Sequence, residues 1–164
     1  MTPFIRLYFV SLLIAVLTAC GLHLRGPSDI PFDSIFIEGS TLVISKDLKK
    51  SLKTSGIVIL QSPKDAELRL ELVGEESEKR ILSLAGAGTV NEFELYYRVH
   101  YRTKLANQAT WSEVHTIESR RDFTYSDANL LAKQTEEKKL NENMQKDTIN
   151  GIMRRLSSLK KQPQ

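Results

Sequence analysis

The chain has 164 residues, of which 41% are hydrophobic and 26% charged, a formal net charge of +3, and one cysteine. That length suffices for one domain and not comfortably for two, and charge so nearly balanced argues against a nucleic-acid partner. A single cysteine excludes an intramolecular disulfide, so stability has to come from a hydrophobic core.

A basic start at Arg6 leads into an apolar run from Leu7 to Leu17, broken only by Ser11, and then into Leu17-Thr18-Ala19-Cys20. This order of parts is a secretory signal ending at a cleavage site. A cysteine directly after small residues resembles a bacterial lipobox. That resemblance implies that the Cys20 thiol takes an S-diacylglycerol and its amino group an N-acyl chain, palmitate among them. A thiolate is a good nucleophile for a lipid donor, and several chains together make an anchor that one chain cannot. An uncleaved membrane helix from Leu7 to Leu22 would rise only about 24 Å, short of a roughly 30 Å hydrocarbon core. Lipoproteins retained in the inner membrane usually carry Asp after the cysteine, so Gly21 favours the outer membrane. The expected layout is a signal peptide over 1–19, a lipidated N-terminus and tether over 20–33, one domain over 34–159 and a disordered tail over 160–164. Removal of Arg6 with the signal lowers the charge from +3 to +2.

Residues 26–32 hold two prolines and no period, which reads as a tether. Ser34 to Glu38 follows as a short strand ended by Gly39. The segment from Ser45 to Lys53 has the pattern of a short helix, with Ser45 as cap, Leu48 and Leu52 on one face, and Gly56 as stop. Its lysines read as a solvated face. Ile57 to Leu60 is a brief apolar stretch before a turn at Pro63. Leu68, Leu70 and Leu72 alternate with charged residues as in a half-buried strand. The apolar pattern resumes at Ile81, so 67–84 is either one strand bulged at Gly74 or two strands divided by a loop. The Ala85–Gly88 turn lacks the fingerprint and lysine of a phosphate-binding loop.

Phe93 to Leu105 alternates over its whole length, and a turn at 106–109 leads to a second strand running to Phe123. A symmetric hairpin sets Arg102 opposite Glu113 and Glu94 opposite Arg121, two complementary pairs. It also sets His100 opposite His115, although a metal site would need further ligands that the spacing does not supply. In that register the outer face carries Tyr96, Arg98, His100, Arg102 and Lys104 together with Trp111, His115, Ile117, Arg121 and Phe123. Arginine among aromatics is the composition of an interaction surface, so Tyr96, Arg98, Arg102, Trp111 and Phe123 are partner-face candidates. From Ser126 or Asp127, as cap, the chain reads as helix for roughly 30 residues, its apolar stripe running from Leu130 and Leu131 to Leu159. The polar stretch Gln134 to Lys139 should pass over solvent or a partner. No serine, histidine and acid arrangement marks catalysis.

The order strand, short helix, sheet strands, long helix stands behind Cys20-Gly21-Leu22-His23-Leu24-Arg25-Gly26. With Glu92-Phe93-Glu94-Leu95, Asp127-Ala128-Asn129-Leu130-Leu131-Ala132-Lys133 and Ile152-Met153-Arg154-Arg155-Leu156, it resembles the LptE family of lipopolysaccharide-assembly lipoproteins. The resemblance implies an α+β fold, a mixed four-stranded sheet with two helices packed on one face. It implies no enzyme, no cofactor and no metal. The family plugs and helps assemble the large β-barrel LptD, and binds lipopolysaccharide on its way to the outer leaflet, from a lipid-anchored position on the periplasmic face of the outer membrane. His23 and Arg25 would touch headgroups or the barrel. The turn from Leu84 to Gly88 lacks the basic residue that relatives often carry there.

Lipopolysaccharide offers phosphates and carboxylates, which suit arginine forks. Lys133, Arg121 and Arg120 are the binding candidates, because the last strand ends just before the helix that carries Lys133. Neighbours on a strand point to opposite faces, so at most one of the two arginines shares a site with Lys133. An auxiliary lipoprotein of an ABC-type lipid transporter is the alternative, and a neighbouring gene for a very large outer-membrane barrel would separate the two.

Overall fold

Strand β1 (Ser34–Gly39), helix α1 (Ser45–Thr54), strands β2 (Val58–Leu60), β3 (Leu68–Leu84), β4 (Val90–Leu105) and β5 (His115–Thr124), and helix α2 (Leu130–Ser157) follow in that order. A computed structural model describes residues 30–86 and 88–159. The expected signal, the lipidation site Cys20, His23, Arg25 and the tail at 160–164 lie outside the described residues.

The sheet has five strands in the order β2-β1-β3-β4-β5, one more than the family resemblance implied. The extra strand is the brief apolar stretch after α1. Val58 to Leu60 pairs parallel with Ser34 to Phe36, and the 3₁₀ turn at Pro63–Asp65 ends it. β1 is also parallel to β3, whereas β3, β4 and β5 are antiparallel. Both helices cover one face: Leu48 and Leu52 of α1, and Met144, Ile152 and Leu156 of α2, are fully buried with Ile35, Leu68, Leu70, Leu72 and Val99. Burying one such side chain contributes about 1.5–3 kcal/mol, so this single cluster holds the layers together. Gly151 lets α2 sit against β5, since a Cβ there would lie 2.8 Å from Ile117 Cγ2.

β3 is one strand, bulged between Leu72 and Gly74, where Leu72 faces Tyr101 and Gly74 faces His100. The extra residue exchanges the two rows of side chains. Leu68, Leu70 and Leu72 face the helices before the bulge; beyond it Glu75, Ser77 and Lys79 do. The Glu75 carboxylate accepts the Tyr97 hydroxyl at 3.1 Å and the Val43 N–H at 2.9 Å, tying the bulge to the β1–α1 loop.

Burial, then the nearby Glu75 charge, pushes the Tyr97 phenol well above its ordinary value. The folded state therefore holds this proton more tightly than the unfolded chain, whose tyrosines titrate near pH 10. Its contribution is complete below about pH 10 and is lost as pH rises beyond. Urea midpoints taken from pH 8 to 11.5 should fall on the alkaline side, and less steeply in Tyr97→Phe.

The β4–β5 hairpin departs from the symmetric register by one residue. Near the turn Thr103 and Ser112 pair as expected, with Ser112 N–H to Thr103 O at 2.8 Å, but the Thr103 N–H goes to Ser112 Oγ at 3.0 Å. Three residues then lead from Ser112 to His115 against two from Thr103 to Tyr101, where the ladder resumes. Beyond that point Glu94 faces Asp122, Arg98 faces Glu118 and His100 faces Thr116. A slip of one exchanges faces, so His115, Ile117, Arg121 and Phe123 lie toward the helices. The two histidines are on opposite sides of the sheet.

The helix starts also differ from expectation. Ser45 Oγ accepts the Leu42 N–H at 2.8 Å, closing the turn before α1 instead of capping the helix. A 3₁₀ turn at Asp127–Asn129 precedes α2, and Leu130 and Leu131 are exposed, off the core stripe.

Tyr101 is wholly buried against the helix layer, and its hydroxyl has no hydrogen-bond partner among the described residues. Burying an unpaired hydroxyl costs about 1–3 kcal/mol. Tyr101→Phe keeps the ring and removes that cost, so the variant should unfold at an equal or higher urea concentration. A loss of stability would mean that the hydroxyl is satisfied by an internal water.

Candidate functional site

The helices leave the other face of the sheet uncovered, and alternation along β1, β3, β4 and β5 covers it with charge. Arg69 pairs with Glu38 at 2.7 Å, Arg102 with Glu71 at 2.5 Å, Arg98 with Glu118 at 2.5 Å, Arg80 with Glu78 at 2.6 Å and Arg120 with Glu94 at 2.9 Å. Two aromatic rings are built into this lattice. Trp111 lies between the guanidinium groups of Arg69 and Arg102, each 5.0 Å from its ring centroid. Tyr96 lies between Arg80 and Arg98, each at 4.7 Å. His100 Nδ1 meets Thr116 Oγ1 at 2.8 Å, and its Nε2 stands 3.4 Å from Glu76.

The pairing sets the protonation states. A hydrogen bond from Arg80 holds the Glu78 carboxyl below its usual range, and a hydrogen bond to Glu118 raises Arg98 further. Exposed pairs of this kind contribute little to stability one by one. Their effect is on what the face can bind. Every arginine named here already has a carboxylate, so a lone anion would have to displace one. A protein surface that exchanges partners and stacks on the two rings fits the face better.

Of the partner-face candidates, Tyr96, Arg98, Arg102 and Trp111 stand together here. Phe123 does not: the register slip turns it inward, where it is buried and stacks on Phe93 at 5.8 Å.

The three cations expected near lipopolysaccharide do not converge. Arg120 is on the open face with Glu94. Arg121 is on the helix face, hydrogen-bonded to Asp147 of α2. Lys133 reaches Thr124 Oγ1 at 3.0 Å and Glu136 at 2.8 Å. Asp147 and Lys133 are about 21 Å apart along the helix axis, so Arg121 and Lys133 serve different regions.

Lys133 instead has a neighbour that sequence reasoning missed. The β3 bulge turns Lys79 toward α2, where it bonds Glu137 at 2.6 Å and lies 4.2 Å from the Phe93 ring centroid. Glu136 and Glu137 are adjacent, so both lysines reach one turn of α2. This end of the molecule also exposes Ile81, Leu82 and Leu84 on the β3–β4 hairpin, and Leu130 and Leu131 at the start of α2, the last at 80% exposure. The only signal for Lys79 was Gly74, whose bulge sets the parity beyond it.

Among the described residues no group of three or more His, Cys, Asp or Glu side chains is arranged to hold a metal.

Helices on one face and an open, ion-paired face on the other define a class of two-layer α+β domains. Solved structures of this build include the uncharacterized lipoprotein B of Nitrosomonas europaea, at 36% identity over 84% of this chain and 91% of that one, with a TM-score of 0.74. The rare lipoprotein B of Shewanella oneidensis aligns at 24% identity over 76% and 94%, TM-score 0.69. A minor lipoprotein of Acinetobacter baumannii aligns at 19% over 79% and 93%, TM-score 0.63, and these last two show the fold alone. No curated protein matches the chain by sequence. The profile of the lipopolysaccharide-assembly family LptE matches residues 32–156. The chain belongs to the LptE family, and its role is in lipopolysaccharide assembly.

Proposed function

We propose that this chain is an outer-membrane lipoprotein, acylated at Cys20 and facing the periplasm, that plugs and helps assemble an LptD-type β-barrel and binds lipopolysaccharide in transit. It catalyses no reaction. Family membership and relatives named as lipoproteins support the reading, as do the lipobox and Gly21. The observation that carries it is the uncovered sheet face, with Trp111 and Tyr96 each held between two arginines, beside an end where two lysines meet exposed aliphatic side chains. The first suits a barrel wall. The second suits an amphiphile with anionic headgroups and acyl chains.

Extraction in mild detergent should bring down a very large β-barrel with this protein. Charge reversal at Arg98 and Arg102 together should weaken that co-purification, while melting temperature falls less than for a core substitution, since both side chains lie partly exposed on the sheet surface. Unchanged co-purification with a large drop in melting temperature would assign the face to folding instead. Palmitate should label the protein, and Cys20→Ser should abolish the label.

A further inference from the structure

Four of the ten residues of α1 are lysines, and their positions follow the helix. Lys46, Lys49, Lys50 and Lys53 are spaced three, four and seven apart, which places them on one stripe. All four are exposed, with the buried Leu48 and Leu52 on the opposite side. The arginines of the open sheet face, and Lys79 and Lys133, all have carboxylate partners. Among the described residues, none of the four α1 lysines joins an ion pair. Like charges one turn apart destabilise a helix, so the stripe works against the fold that carries it.

The place of the stripe identifies what it meets. The Val58 N–H donates to Asp33 O at 2.8 Å and the Ile57 N–H to Leu52 O at 3.1 Å, so the last turn of α1 lies beside the start of β1. Ile30 and Phe32 already pack on the core, so residues 20–29 can place Cys20 at most about 35 Å from the domain when fully extended. A lipid on Cys20 would therefore keep the last turn of α1 within reach of the bilayer surface. Lysine is a hydrated point charge on a flexible stem, suited to a diffuse layer of headgroups, whereas the arginine forks of the sheet suit fixed partners.

We infer that the lysine stripe of α1 docks the domain on anionic phospholipid, a second, electrostatic contact that orients the domain beside its lipid anchor. The inference rests on the lipoprotein reading for its geometry, and its test can fail separately.

The full lipidated chain, labelled with a fluorophore at Thr54→Cys, is reconstituted into phosphatidylcholine vesicles with and without phosphatidylglycerol. A lipid spin-labelled at its headgroup serves as quencher. Quenching should be strong only with phosphatidylglycerol and should fall as salt rises. Each lysine changed to glutamine should shift the docked equilibrium about fivefold. Lys49→Gln with Lys53→Gln gives a measurable change if the fourfold variant folds poorly. Equal quenching in both vesicles, or quenching indifferent to the substitutions, overturns the proposal. So does loss of barrel co-purification in the lysine variants without any quenching change, which would make the stripe a protein contact. Mass spectrometry of Cys20 reports on the anchor independently. Should Cys20 prove unacylated, quenching is read on freely added chain, and its absence again overturns the docking.

Discussion

Lys79→Glu combined with Lys133→Glu is expected to lower lipopolysaccharide affinity at least roughly ten- to hundred-fold, the value of one charge-assisted hydrogen bond. The two ammonium groups bond neighbouring carboxylates, Glu137 and Glu136, on one turn of α2. Phosphates would have to displace Glu137 and Glu136 from the two lysines, and the exposed Ile81, Leu84, Leu130 and Leu131 at the same end add apolar surface for the acyl chains that the open face lacks. The double variant should also bind with a weaker salt dependence, because fewer charge pairs remain for salt to screen. Arg121→Glu serves as contrast: its guanidinium faces Asp147, so it should leave binding close to wild type. The measurement is a pull-down with lipopolysaccharide across a salt series, with melting temperature as control. A double variant that binds like wild type at every salt concentration would remove this site and return attention to the open face.

The largest expected loss of stability is at the end of β1. Gly39 has φ +93°, and a Cβ there would lie 2.3 Å from the backbone oxygen of Leu72. That oxygen accepts the Ser40 N–H at 2.8 Å, next to the bulge, so it cannot yield without disturbing two strands. Gly39→Ala should cost about 3 kcal/mol or more, lowering the melting temperature by roughly 10 °C. Gly56 also has positive φ, +83°, but open space around it. Gly56→Ala should cost only about 1–2 kcal/mol. Equal losses for the two variants would mean that backbone conformation alone, not the contact with Leu72, limits position 39.

Long periodic segments were legible from the residues alone. β4 alternates over its whole length, and α2 repeats its apolar residues from Leu140 onward, so burial on one side sets their type. β2 was not recognised as a strand because three residues carry no period; only pairing with β1 defines it. The hairpin register went wrong through one hydroxyl. Ser112 Oγ takes the Thr103 N–H, an extra residue enters before His115, and Phe123 turns from the open face to the core. Lys79 was hidden for a similar reason, since a single bulge residue reverses every position after it. Placement was legible in part: Tyr96, Arg98, Arg102 and Trp111 share one face as their alternation implies, while the cation cluster depended on parity that composition cannot report.

The ion-paired sheet face has a kinetic consequence. Each guanidinium is matched by a carboxylate within hydrogen-bonding distance, so the face presents short dipoles whose field dies away within a few ångströms. A partner approaching it is not drawn in from afar, and its association rate through this surface should change little with ionic strength. Any partner of this face has to be recognised at contact, by trading one carboxylate for another and by stacking on Trp111 and Tyr96. Such a surface is silent to charged strangers and selective for a partner that matches its pattern.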